Sequence, residues 1–233
     1  MDPDPGRGLV NVPIRVVLVD DQELFRAGVA VIVGAQPDME IVGEAADGRE
    51  AVQVVDEQQP DVVLMDIRMP ELDGVEATRL IFSPDRTARR ARPVRVVVLT
   101  TFNLDDSAAT AIRHGASGFL LKDATPAMLC DAIRTVHAGN AVLAPADLTS
   151  LLAGTFRERR PAPPGFEQLT AKEREVLSAV ARGLSNAEIA DEVFASESTV
   201  KTHVGGILRK LGLRDRVQIV VLAHEHGLTD PPP

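Results

Sequence analysis

Three carboxylates, a hydroxyl and an ammonium are spaced along the first half of the sequence so that they could share one site. Asp20 and Asp21 follow one run of Val, Ile and Leu, Asp66 closes a second, Thr100 a third and Lys122 a fourth. Nearly unbroken runs of this kind read as strands buried on both faces of a parallel sheet. In such a sheet, ligands sit beyond the carboxyl ends of the strands. Carboxylates gathered there repel one another unless a cation neutralises them, and an all-oxygen set favours a hard ion such as Mg²⁺. With a hydroxyl and an ammonium alongside, the set is what a carboxylate nucleophile needs to accept a phosphoryl group. Singly, each residue has a plainer reading: a strand-terminal Asp caps a helix, and a Lys is solvated. Five polar residues at the ends of four strands do not reduce to caps.

These residues need a scaffold, and the hydrophobic pattern supplies one. Strands are predicted over 14–19, 40–44, 61–65, 94–99 and 117–121, and helices over 23–35, 48–58, 74–82, 105–114 and 126–138. Five alternations of strand and helix predict βαβ crossovers and an α/β fold: a doubly wound, five-stranded parallel sheet with helices on both faces. Residues 1–13, rich in Pro, Gly and Asp, are expected to be a disordered tail, with the α/β domain over 14–140. Composition changes after Ala141, and the linker is placed at 141–166, stiff near its prolines, with a short helix an option over 148–156. From Leu169 the pattern is purely helical. Thr170 with Glu173 and Ser185 with Glu188 form capping-box pairs, Ser196 is a further N-cap, and Gly183, Gly212 and Gly227 fall where helices should end. This all-α domain spans 167–228, leaving 229–233 as a tail.

The motifs Val-Asp-Asp at 19–21, Met-Asp-Ile-Arg-Met-Pro-Glu-Leu-Asp-Gly at 65–74, Leu-Thr-Thr-Phe at 99–102 and Gly-Phe-Leu-Leu-Lys-Asp at 118–123 resemble the receiver domain of bacterial response regulators, a flavodoxin-like fold. The resemblance implies that Asp66 is the phosphoacceptor, and that Asp20 and Asp21 hold Mg²⁺ with Asp66 and the backbone carbonyl of Arg68. It further implies that Thr100 and Lys122 contact the phosphoryl group and that Phe119 takes the place of the switch aromatic. In such domains the Thr moves toward the phosphoryl oxygen and the aromatic fills the vacated space, repacking the face formed by helix 105–114, the fifth strand and helix 126–138. Two departures stand out. Asp123 follows the Lys where many receivers carry Pro, and the 83–93 segment is long and holds Arg86, Arg89, Arg90 and Arg92, which reads as a solvated insertion or as a docking site for an acidic partner.

In the helical domain, Val200, Val204, Ile207, Leu208 and Leu211 form one apolar stripe after Ser196. The opposite face presents Ser198, Thr202, Gly205, Gly206 and Arg209, with Lys201 and Lys210 on its flanks. That surface is small and polar, edged by cations, and suits approach to a major groove. With helix 186–193 before it, the pair makes a helix-turn-helix. Leu-Thr-Ala-Lys-Glu-Arg-Glu-Val-Leu at 169–177, Gly-Leu-Ser-Asn-Ala-Glu-Ile-Ala at 183–190 and Thr-Val-Lys-Thr-His-Val at 199–204 resemble the LuxR-type DNA-binding domain. Joined to a receiver, this is the NarL/FixJ architecture. The resemblance implies that Ser198, Lys201, Thr202 and Gly205 lie on the groove-facing side of the recognition helix, with Arg209 or Lys210 on phosphate. Gly205 and Gly206 together cost about 2 kcal/mol in a helix interior relative to Ala, so this helix either leans on packing or completes itself on DNA. The last helix, over 216–225, is apolar around much of its circumference. It is either deeply packed or, as the family uses it, a dimerisation helix presenting Val217, Val220 and Val221.

Composition bounds the alternatives. The chain has 233 residues, one cysteine, a net charge of −9 and no apolar run long enough for a bilayer, which excludes a disulfide-stapled domain, a zinc finger and a membrane span. A bacterial cytoplasmic location is expected, with no membrane partner. Acidity overall argues against a non-specific nucleic-acid binder, but five cations against one anion between Lys201 and Arg216 make a local excess of +4. The resulting expectation is a regulator phosphorylated by a sensor histidine kinase, which binds double-stranded promoter DNA as a homodimer on phosphorylation or DNA binding, with RNA polymerase as a further partner. It is no enzyme beyond assisting its own dephosphorylation. The alternatives are an orphan regulator not controlled by phosphorylation, and a phosphatase or phosphotransferase working through an aspartyl-phosphate.

Overall fold

The computed structural model describes residues 12–101, 106–140, 142 and 161–229. The expected tail 1–13 and linker 141–166 therefore lie largely outside the described residues, as does the optional helix over 148–156. Five strands, β1 (Ile14–Val19), β2 (Met39–Ala45), β3 (Val62–Asp66), β4 (Arg95–Thr100) and β5 (Gly118–Leu121), form one sheet in the order β2-β1-β3-β4-β5, with every neighbouring pair parallel. The reversal of order at β1 and β3 makes a topological switch point there. The central strand β3 is buried along its whole length, as its Val-Val-Leu-Met sequence demands.

Side chains alternate across the strands, so each face collects its own core. Val16, Leu18, Leu64 and Val97 pack with α1 (Glu23–Gly34) and α6 (Pro126–His137) through residues such as Val33, Ile133 and Val136. Val17, Val19, Val63, Met65, Val96 and Val98 pack on the other side with α2 (Gly48–Gln58), α3 (Gly74–Ile81) and α5 (Asp106–Arg113). Asp47, Asp73 and Thr125 cap α2, α3 and α6 with side-chain oxygens, satisfying helix-end N–H groups that would otherwise lack partners.

The segment over 83–93 is not simply a solvated insertion. Pro84 opens a short helix, α4 (Pro84–Ala88), and Arg90 folds back so that its side chain is only 4% exposed. Its guanidinium donates to the Ile81 carbonyl and to Asp56.

The C-terminal domain contains α7 (Ala171–Ala181), α8 (Asn186–Glu192), α9 (Glu197–Leu211) and α10 (Arg216–His226). Both predicted capping boxes form, at Thr170–Glu173 and Ser185–Glu188. Helix α9 is continuous through both glycines. A Cβ on Gly206 would meet Glu173 Oε1 at 2.7 Å, whereas one on Gly205 would meet nothing within 4 Å. Val217, Val220 and Val221 are all buried within the chain, so in this arrangement the last helix is the deeply packed one. It lies against α7 and also reaches α5 of the α/β domain. Among the described residues, no helix is long and apolar enough to cross a membrane.

Candidate functional site

The carboxyl ends of the strands bring the predicted acidic residues together. Asp20, Asp66 and Thr100 are buried at 2%, 4% and 5% exposure, while Asp21 is exposed. Ligand oxygens of Asp20, Asp21 and Asp66 all lie within 4.8 Å of one another. Lys122 extends from just beyond β5 to place Nζ 2.7 Å from Asp20 Oδ2 and 2.9 Å from Asp66 Oδ2. The backbone holds this cluster tightly: Lys122 N–H donates to the Thr100 carbonyl, and Gln22 N–H donates to Asp20 Oδ1.

Gly74 is part of the same construction. Its N–H donates to the Ile67 carbonyl, and a Cβ there would fall 1.9 Å from the Asp66 carbonyl oxygen. Only glycine lets α3 start directly against the strand end that carries Asp66.

Burial pushes the Asp66 carboxyl above its ordinary pKa, opposed by the Lys122 hydrogen bond and reinforced by repulsion from Asp20. Burial also works against the Lys122 charge, but Asp20 and Asp66 together outweigh it and raise that ammonium's pKa. Asp20 Oδ2 and Asp66 Oδ2 share the single Lys122 ammonium, and three carboxylates with ligand oxygens this close, an all-oxygen set, fit a hard divalent cation. Phe119 sits half-buried on β5, packed on the core shared with α5.

On α9, Val200 and Ile207 are buried, whereas Ser198, Lys201, Thr202, Gly205 and Arg209 form an exposed face. Lys210 is turned away, its Nζ 2.6 Å from Glu173 Oε2. The five-cation patch read from sequence is not one surface. Arg216 is buried, donating to Asn186 Oδ1 and the Leu184 carbonyl. Arg214 covers the Phe82 ring at 3.6 Å from the centroid and donates to the Gly115 carbonyl.

The Arg216 side-chain contacts lie within the helical domain, whereas those of Arg214 belong to a seam between the two domains that sequence reasoning did not find. Ser117 Oγ donates to Asp215 Oδ2 at 2.6 Å, and Arg216 N–H donates to the Gly139 carbonyl at 3.2 Å. Asp215 also caps α10, and that local role was the only one its sequence context could suggest.

Residues 16–134 match the response regulator receiver domain, and residues 167–223 match the bacterial regulatory proteins of the luxR family. The chain is 42% identical to the uncharacterized transcriptional regulatory protein YxjL of Bacillus subtilis, over 92% of this chain and 97% of the relative. It is 41% identical to the transcriptional regulatory protein LiaR of the same organism, over 93% and 100%. Among solved structures, the receiver domain of a putative response regulator NarL from Mycobacterium tuberculosis is 33% identical with a TM-score of 0.51, covering 55% of this chain and 99% of that one. The chain belongs to the NarL/LuxR family of two-component response regulators, with an N-terminal receiver and a C-terminal LuxR-type helix-turn-helix domain. It is a transcription factor with phosphorylation-controlled DNA binding, and not an enzyme.

Proposed function

We propose that Asp66 is the phosphoacceptor. A carboxylate oxygen of Asp66 attacks the phosphorus of a sensor kinase's phosphohistidine; an O–P bond forms as the P–N bond breaks, and the imidazole leaves with the electron pair. The observation that carries this reading is the Lys122 ammonium set between Asp20 and Asp66, where it can follow a transferred phosphoryl oxygen. Asp20, Asp21, Asp66 and the Arg68 carbonyl would hold Mg²⁺, which when bound neutralises charge on the transferring oxygens. Thr100, at the end of β4, supplies the hydroxyl that bonds the phosphoryl group, and Phe119 repacks in response.

Lys201, Thr202 and Arg209 meet promoter DNA from the exposed face of α9, with Ser198 and Gly205 close to the groove. Lys210 reaches phosphate only by leaving Glu173. Dimerisation through Val217, Val220 and Val221 requires α10 to turn out of its present packing, so phosphorylation must loosen the seam first. A kinase substrate that acts on DNA works in the cytoplasm.

Intact mass and sedimentation on wild type and Asp66→Asn, with acetyl phosphate and Mg²⁺, test this. Wild type alone should gain one phosphoryl group and shift toward dimer. Equal incorporation in Asp66→Asn would overturn the assignment.

A further inference from the structure

A cavity of about 210 Å³ opens at the seam, with walls from both domains. The receiver contributes Phe82, Arg90, Arg92 and Val94, and the helical domain contributes Arg214. Three arginines and no carboxylate line it. Two of the three are held in place by the protein itself. Arg90 donates to the Ile81 carbonyl and Asp56, and Arg214 donates to the Gly115 carbonyl while lying on Phe82, yet Nε of each is buried with no acceptor.

The nearby acids are already engaged: Asp56 pairs with both Arg86 and Arg90, and Asp215 accepts from Ser117. Burial, with repulsion from Arg90 and Arg95, pulls the Arg214 guanidinium down to about 10. Three guanidinium groups lining one opening with no carboxylate suit an anion, and a planar fork matches the oxygens of a phosphate. The volume admits a phosphate group with a short organic remainder and excludes a nucleic acid or a folded partner.

We propose that this cavity binds the phosphate group of a small phosphorylated metabolite, held by Arg90, Arg92 and Arg214. Such a ligand bridges the receiver and the helical domain. It therefore favours the docked arrangement over the separated one and gives the regulator an input independent of Asp66.

Calorimetric titration of the full chain in EDTA at constant ionic strength, with inorganic phosphate and with glycerol 3-phosphate, tests the site. Saturable one-to-one binding of either probe is expected. It should weaken at least tenfold in Arg92→Ala, whose exposed side chain can be removed without touching the core, and in Arg90→Gln. It should persist in Asp66→Asn and Lys201→Ala, which alter the acidic site and the DNA face. A tighter glycerol 3-phosphate than phosphate identifies an ester ligand, and equal affinities identify the free anion; both fit the site. No saturable binding of either probe, binding indifferent to both arginine variants, or binding lost in Lys201→Ala would each overturn the proposal.

Discussion

Ser117, just before β5, and Asp215, at the start of α10, are joined by a 2.6 Å hydrogen bond across 98 positions of sequence. Asp215 is fully buried, and burial raises its carboxyl pKa against the opposing Ser117 bond, the Gln218 N–H and the neighbouring Arg214 and Arg95. One residue thus caps the last helix and fastens it to the receiver. The exposed face of α9 proposed to meet DNA is left open, so the seam restrains α10 rather than covering that face.

Ser117→Ala removes the donor and leaves a buried carboxylate short of a partner, a loss of about 1–3 kcal/mol. The variant should populate separated domains and form dimers at lower concentration without phosphorylation. Sedimentation and small-angle scattering on wild type and variant measure both effects, and an unchanged radius of gyration would show the seam held by other contacts.

Lys122→Ala places Asp20 and Asp66 together with no ammonium between them. Breaking a buried pair in this way costs on the order of 3 kcal/mol. Thermal unfolding should show the variant weakened in EDTA and largely restored by Mg²⁺, with a larger Mg²⁺-dependent gain than in wild type. Phosphoryl incorporation should fall at least tenfold in either case.

Gly205→Ala and Gly206→Ala form a matched pair. Ala is favoured over Gly in a helix interior by about 0.5–1 kcal/mol, and nothing stands within 4 Å of a Cβ on Gly205. That variant should melt higher. Gly206→Ala should gain less or lose stability, because its Cβ would press on Glu173 at 2.7 Å. Equal gains in denaturant titrations would mean that Glu173 moves freely.

Lys201→Ala should weaken DNA binding and reduce the slope of log K against log salt by about 1, as expected for one lost phosphate contact. Lys210→Ala should change that slope less, since its ammonium is paired with Glu173. A salt titration of binding affinity separates the two.

His224 gives the helical domain a pH dependence. Burial pulls its pKa below the ordinary value, opposed by a bond to the Ala181 carbonyl, and its Nε2 is buried without a partner. The unfolded chain then binds the proton more readily, so stability is complete above the unfolded pKa of about 6.5 and falls as pH drops through it. His224→Gln should flatten that fall in melts recorded between pH 7.5 and 5.5.

The centre of the sheet was legible because β1, β3 and β4, buried on both faces, must be nearly apolar throughout, and the acidic site because its members follow strand ends. Helix α4 was not legible: Pro-Asp-Arg-Thr-Ala carries no apolar periodicity, and the pairing of Asp56 with Arg86 inside the helix and Arg90 beyond it gives it a place. Arg214 and Arg216 look like their solvated neighbours Lys201 and Arg209, since charge along a chain does not reveal which cations fold inward. The Ser117–Asp215 bond links residues whose local contexts, a strand entry and a helix cap, are each complete without the other.

The direction of the strands has a consequence for timing. Asp66 and Thr100 stand at the carboxyl ends of β3 and β4, whereas Arg95 and Ser117 stand at the amino ends of β4 and β5, roughly 17 Å away along the strand. The acidic cluster and the helical domain therefore occupy opposite poles of one sheet, and a kinase reaching Asp66 would not compete with the helical domain for space. On the proposed function, the docked chain could be charged by its kinase before the domains part, so modification would precede release, with β4 and β5 as the path between them.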